Sequence, residues 1–146
     1  MSPVFFTDRD LGKVFPGVLA EAGISVESHH EHFSEMAPDE EWLANIGKRE
    51  WFAISHDRKI RYKPNERDAV MHFGVGLFIL IGKVSTKALA LNFVNTYGKI
   101  LGFIENHERP FIAKIYMPSG SSLKTPDSRP GRVEMYLSYD KWDENQ

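Results

Sequence analysis

Apolar positions in this chain follow two alternating spacings. "PVFF" is a short continuous run stopped by "TDRD", which predicts a strand over about residues 3 to 7. Phe15, Val18, Leu19 and Ala22 then fall at i, i+3, i+4 and i+7, one stripe of a helix that starts near Lys13. Pro16 suits its first turn, where a missing N–H costs nothing, and Gly23 suits the position just past its end. "ISVESH" follows as a second short strand. Strand, helix, glycine and strand together make a βαβ opening.

The alternation continues after a segment, "HHEHFSEM", that has no clean period and reads as loop. "PDEEWLANIGKRE" is a helix that Asp39 can cap, whose buried face is Trp42, Leu43 and Ile46 and which ends near Gly47. "WFAIS" is the next strand, "PNERDAVMHF" a helix with Asn65 as cap, and "VGLFILI" a strand apolar on both faces, as an interior parallel strand is. Leu89, Phe93, Tyr97, Ile100 and Ile104 then stripe a long helix capped by Ser85. "FIAKIYM" and "RVEMYLSY" alternate as strands around the Pro/Gly/Ser-rich "PSGSSLKTPDSRPG", and the terminal "DKWDENQ" reads as frayed. The sum is a single α/β domain over residues 1–146: a mostly parallel central sheet with helices on both faces, completed by a long C-terminal helix and a β-hairpin.

Composition changes this picture little. At 146 residues the chain has the size of one domain, and 42% hydrophobic with 26% charged residues is ordinary for a globular protein. It has no cysteine, which removes disulfides, thiolate metal sites and a cysteine nucleophile. The first residues lack the pattern of a signal peptide and the longest apolar run, "FGVGLFILIG", is too short to span a bilayer, so a cytoplasmic protein is expected. Net charge is -2 with a pI near 6.3, which argues against indiscriminate nucleic-acid binding while leaving room for a local basic patch.

Charge placement says more. In "WFAISHDRKIRYKP" a buried strand empties into Asp57, followed by Arg58, Lys59, Arg61 and Lys63. Open α/β sheets bind ligands beyond the carboxyl ends of their strands. Asp8 follows the first strand, Asp57 follows "WFAIS", and Asp39 opens the helix that leads into that strand, so three carboxylates can meet at one edge. Such carboxylates repel one another and need a cation to stay ionised together; oxygen donors without cysteine point to Mg²⁺ or Mn²⁺. The basic residues would then hold a phosphate backbone. Read singly, the same acids are a turn residue, a helix cap and a surface acid; Asp10, Glu40 and Asp68 stand in reserve nearby. His29, His30 and His32 have ligand potential for zinc but lack the H-E-x-x-H spacing. His56 is placed either to touch substrate or to face solvent.

Through "FFTDRDLG", "VLAEAGISVESH", "PDEEWLANIGKREWFAISHD" and "DRKIRYKPNE", the chain resembles the PIN-like superfamily, in the compact branch that includes VapC-like toxins of toxin–antitoxin pairs. The resemblance is specific over residues 3–81, with residues 84–139 a helix-plus-hairpin completion. Its strongest signature is the acid-led helix passing through a glycine into a strand that ends in [ST]-x-D. The resemblance implies an Mg²⁺- or Mn²⁺-dependent ribonuclease that hydrolyses RNA through metal-activated water, with Asp8, Asp39 and Asp57 as catalytic metal ligands. It also implies a small antitoxin partner and a homodimer. Lys59 stands where related compact families often carry a further acid, and no early-helix acid matches. A non-catalytic module that binds nucleic acid or protein is therefore the second reading. A receiver-like phosphoacceptor, with Lys83 as its nearest lysine, is the third.

Overall fold

The computed structural model describes residues 2–56, 64–119 and 129–146. Six strands form one sheet: β1 (Phe5–Thr7), β2 (Val26–Ser28), β3 (Phe52–His56), β4 (Gly76–Ile81), β5 (Phe111–Tyr116) and β6 (Arg132–Ser138). Their order is β2-β1-β3-β4-β5-β6, with all neighbours parallel except the β5–β6 pair. The helices are α1 (Val14–Glu21), α2 (His29–His32), α3 (Asp39–Arg49), α4 (Pro64–His72), α5 (Thr86–Asn106) and α6 (Tyr139–Glu144), and a 3-10 turn, Arg9–Leu11, follows β1.

The single α/β domain expected from the apolar pattern is the fold observed, because the strand periodicity supplies two buried faces. On one face Phe5, Phe52, Ile54, Phe78 and Phe111 pack against α1 and α5 through Leu19, Leu89, Phe93 and Ile100. On the other, Phe6, Ala53, Leu77, Ile79 and Ile112 pack against Trp42, Leu43 and Ile46 of α3 and Ala69 and Val70 of α4. Phe5 lies 5.3 Å from Phe93 edge to face, a preferred aromatic geometry at the centre of the first layer.

Three helices turn back into the sheet by the same device. After α1 the amides of Ile24 and Gly23 donate to the carbonyls of Leu19 and Ala20, with Gly23 at φ +83°. Gly74 plays the same part after α4 at φ +73°. After α3, Glu50 takes that position at φ +59°, so the helix runs through Gly47 to Arg49 rather than stopping at the glycine. Gly47 is needed for a different reason: a Cβ there would lie 2.1 Å from the Phe73 carbonyl oxygen, so α3 and α4 meet at that point.

Other expectations shift at element ends. "HHEH" is not loop: Ser28 and Glu31 form a capping box that folds it into α2. The N-cap of α3 is Pro38, and Asp39 is its first residue. Asn65 lies inside α4, which begins at Pro64. "DKWDE" of the terminal segment is not frayed but belongs to α6, where Ser138 accepts from the Lys141 amide and Trp142 Nε1 donates to Asp68 at 2.7 Å. Ser85 caps α5 as expected, accepting from the Ala88 amide at 3.1 Å. Replacing Ser85 with Ala should lower stability by about 1 kcal/mol in chemical denaturation.

Candidate active site at the carboxyl edge

The parallel strands all present their carboxyl ends at one edge, and β1 delivers Asp8 there. The Asp8 amide donates to the Ile54 carbonyl at 3.0 Å, which extends the β1–β3 pairing by one residue. Ser55 therefore stands beside Asp8, and its hydroxyl donates to Asp8 Oδ2 at 3.2 Å. The Arg9 amide donates to Oδ1 at 2.7 Å as the chain enters the 3-10 turn. Both contacts favour the ionised carboxyl. Burial opposes them more strongly, and Asp10 and Asp39 add like charge, so the Asp8 pKa is pushed up to about 7.

Asp39 comes to the same region on α3. Trp42, one helical turn on and fully buried, donates its indole N–H to Asp39 Oδ1 at 2.9 Å. The Trp42 ring stacks on Phe6 of β1, with centroids 5.4 Å apart. Arg9 joins the two acidic elements. Its guanidinium lies 3.5 Å from Asp39 Oδ1 and donates to the carbonyls of Glu35 at 2.7 Å and Ala37 at 3.1 Å. Asp10 is close enough to raise the Asp8 pKa, whereas Glu40 is exposed in the first turn of α3. Asp68, held by Trp142, belongs to the packing of α6 instead.

Two of the three expected catalytic acids, Asp8 and Asp39, thus share one electrostatic environment. The third, Asp57, follows β3 by one residue and, with Arg58, Lys59, Arg61 and Lys63, lies outside the described residues. His56 at the end of β3 donates from Nε2 to the Gly82 carbonyl at 3.1 Å, tying β3 to the chain after β4. The three histidines of "HHEH" diverge. His29 is buried among Phe6, Phe33 and Trp42, His30 is exposed, and His32 meets Glu27 at 2.8 Å. Burial is the main influence lowering the His29 pKa, with Arg9 adding to it, which favours the neutral imidazole.

Sequence reasoning missed Ser55 and Arg9. Ser55 was within reach, since it lies on the same face as Ala53 and two residues before Asp57. Nothing in the local pattern marked Arg9. In donor chemistry, Asp8, Asp39 and Asp10 are hard oxygen ligands of the kind Mg²⁺ and Mn²⁺ take. Among the described residues, however, no group of three His, Asp or Glu is arranged to hold a metal ion.

A PIN-like domain family profile matches residues 3–82, more than half of the chain, and the chain belongs to that family. Domains of this superfamily are commonly nucleases and generally use divalent metals. No curated protein and no solved structure matches the chain. Among the described residues, no helix is long and apolar enough to cross a membrane.

Proposed function

We propose that the protein is a divalent-metal-dependent ribonuclease acting at the carboxyl edge of the sheet, in the cytoplasm. The observation that carries this reading is Asp8. A carboxyl partly buried at a strand end, pushed up to about 7 by desolvation and two neighbouring acids, is an arrangement that a cation would relieve. Asp8 and Asp39 would hold the ion, with Asp57 as the further ligand supplied by the chain after β3 and Asp10 as an auxiliary acid. When bound, the ion supplies Lewis acidity toward a phosphate oxygen and a lowered pKa for water.

The chain's own residues have separate tasks in this reading. Ser55 and the Arg9 amide orient the two oxygens of Asp8. Trp42 fixes the rotamer of Asp39. Arg9 holds the α2–α3 connection against the 3-10 turn and offers positive charge toward a phosphate. Arg58, Lys59, Arg61 and Lys63 follow Asp57 and would engage the nucleic-acid backbone, making affinity fall with salt. On the toxin form of this reading, a small antitoxin-like partner covers this edge, and a second copy of the chain forms a homodimer.

The Arg9–Asp39 ion pair favours a second reading, because a guanidinium 3.5 Å from a proposed ligand competes with a cation for it. That reading is a PIN-like module that binds nucleic acid or a protein without cutting. Incubation with labelled single-stranded RNA separates the two. The nuclease cleaves with Mn²⁺ or Mg²⁺, stops with EDTA, and loses cleavage in Asp57→Asn with its fold intact. Binding without turnover under any divalent ion would leave the second reading standing.

A further inference from the structure

Among the described residues, α3, α4 and Trp142 of α6 cover the face of the sheet that carries Asp8 and Ser55 only part of the way across. Its far end, on β5 and β6, is formed by Lys114, Tyr116, Arg132, Glu134 and Tyr136. Strand alternation fixes their side. Ile112 packs under α3 and α4, so Lys114 and Tyr116, two and four residues on, point to that same side. Tyr116 pairs with Arg132 and Lys114 with Glu134 across the antiparallel ladder. A register shift in the pairing places Tyr136 opposite no residue of β5, and its ring packs against Lys114 from β6.

Each tyrosine carries a cation. The Arg132 guanidinium lies 4.2 Å from the Tyr116 ring centre and the Lys114 ammonium 4.5 Å from that of Tyr136. Tyr136 is 36% exposed, and Arg132 about half. Glu134 is the only acid of the group and pairs with Arg132 at 3.3 Å, leaving the patch net positive on a chain whose net charge is -2. Tyr116 ends β5 and Arg132 begins β6, so the patch reaches the same edge as Asp8. From β1 to β5 is three strand spacings, roughly 14 Å.

From this we propose that the β5–β6 face is a stacking platform for single-stranded RNA, on which bases lie against the exposed Tyr136 ring and the Arg132 guanidinium plane that covers Tyr116, while the charges of Arg132 and Lys114 draw in the phosphates. Aromatic rings give sequence-tolerant stacking, and the flanking cations track the backbone. The platform deepens the ribonuclease reading and rests on it, since it would feed one strand along the sheet toward Asp8. It also predicts discrimination against duplex, whose bases are not free to stack.

The test is fluorescence anisotropy with a labelled, unstructured RNA oligonucleotide in EDTA, so that binding is read without cleavage. Tyr136→Ala should weaken binding about fivefold or more, while Tyr136→Phe stays close to the parent. Arg132→Gln should reduce the slope of log affinity against log salt by about 1. Parent protein that fails to bind the RNA, or that binds it equally well after Tyr136→Ala and Arg132→Gln, overturns the platform. A separate Mn²⁺ cleavage assay distinguishes the two proposals. Cleavage with tyrosine-independent binding removes the platform alone, whereas tyrosine-dependent binding without cleavage supports the platform and removes the nuclease reading. Preference for a duplex of the same sequence also counts against the platform.

Discussion

Asp8→Asn should abolish metal-dependent cleavage and, at the same time, make the protein more stable above neutral pH. The two effects have one origin. Asp8 titrates near 7 in the folded protein and near 3.8 in the unfolded chain. Below pH 4 the carboxyl is protonated in both states and costs nothing. Between these values the folded state holds the proton more tightly, so stability falls with rising pH, by about 1.4 kcal/mol per unit. Above pH 7 the folded protein carries the whole penalty, up to about 4 kcal/mol. Asparagine does not titrate and is free of it. Urea denaturation in EDTA should therefore show the parent losing stability relative to Asp8→Asn between pH 4 and 7, with the variant ahead at pH 8. Adding Mn²⁺ at pH 8 should narrow that gap by stabilising the parent alone. Parallel stability curves for the two proteins would remove the argument that Asp8 is a strained, cation-seeking group.

The second large effect is at Trp42, where packing and site geometry meet in one side chain. Trp42→Ala removes a fully buried ring stacked on Phe6 and should cost about 3–5 kcal/mol. Trp42→Phe keeps most of that volume and removes the N–H that Asp39 accepts. It should cost about 1–2 kcal/mol. Asp39 then keeps only the Arg9 contact among those described here, and its carboxyl can swing toward the guanidinium. The expected result is a fall in cleavage rate with RNA affinity in EDTA unchanged. Equal loss of binding and cleavage would mean that Trp42 acts through the fold alone.

The sheet was legible from apolar spacing because parallel strands buried on both faces cannot hide their composition. "FGVGLFILIG" reads as an interior strand, and β4 is one, with Leu77 and Ile79 serving one layer and Phe78 and Leu80 the other. The stripe Leu89, Phe93 and Ile100 was equally plain. "HHEH" failed for a physical reason. α2 is held by its capping box and by one buried histidine, so a single turn had no apolar period to show. For the site, the positions of Asp8 and Asp39 were legible as strand-end and helix-start acids. Their surroundings were not, because Ser55 meets Asp8 across 47 residues of sequence through the β1–β3 register. Arg9 was harder still, since its partners include backbone carbonyls, which every residue possesses. The platform was partly visible as the alternation in "RVEMYLSY", but the register shift that sets Tyr136 beside Lys114 belongs to tertiary structure.

The three tryptophans occupy three unlike places, and this gives the molecule its own optical labels. Trp42 lies beneath the acid edge with its N–H on Asp39, Trp51 lies under the Arg49 guanidinium, and Trp142 docks α6 onto α4 through Asp68. Indole emission responds to the hydrogen bonding and charge around the ring. With Trp51 and Trp142 replaced by Phe, the remaining signal comes from Trp42 and reports on its surroundings, the Asp39 carboxylate among them. Occupancy of the edge can then be followed without an added label, a substrate or turnover.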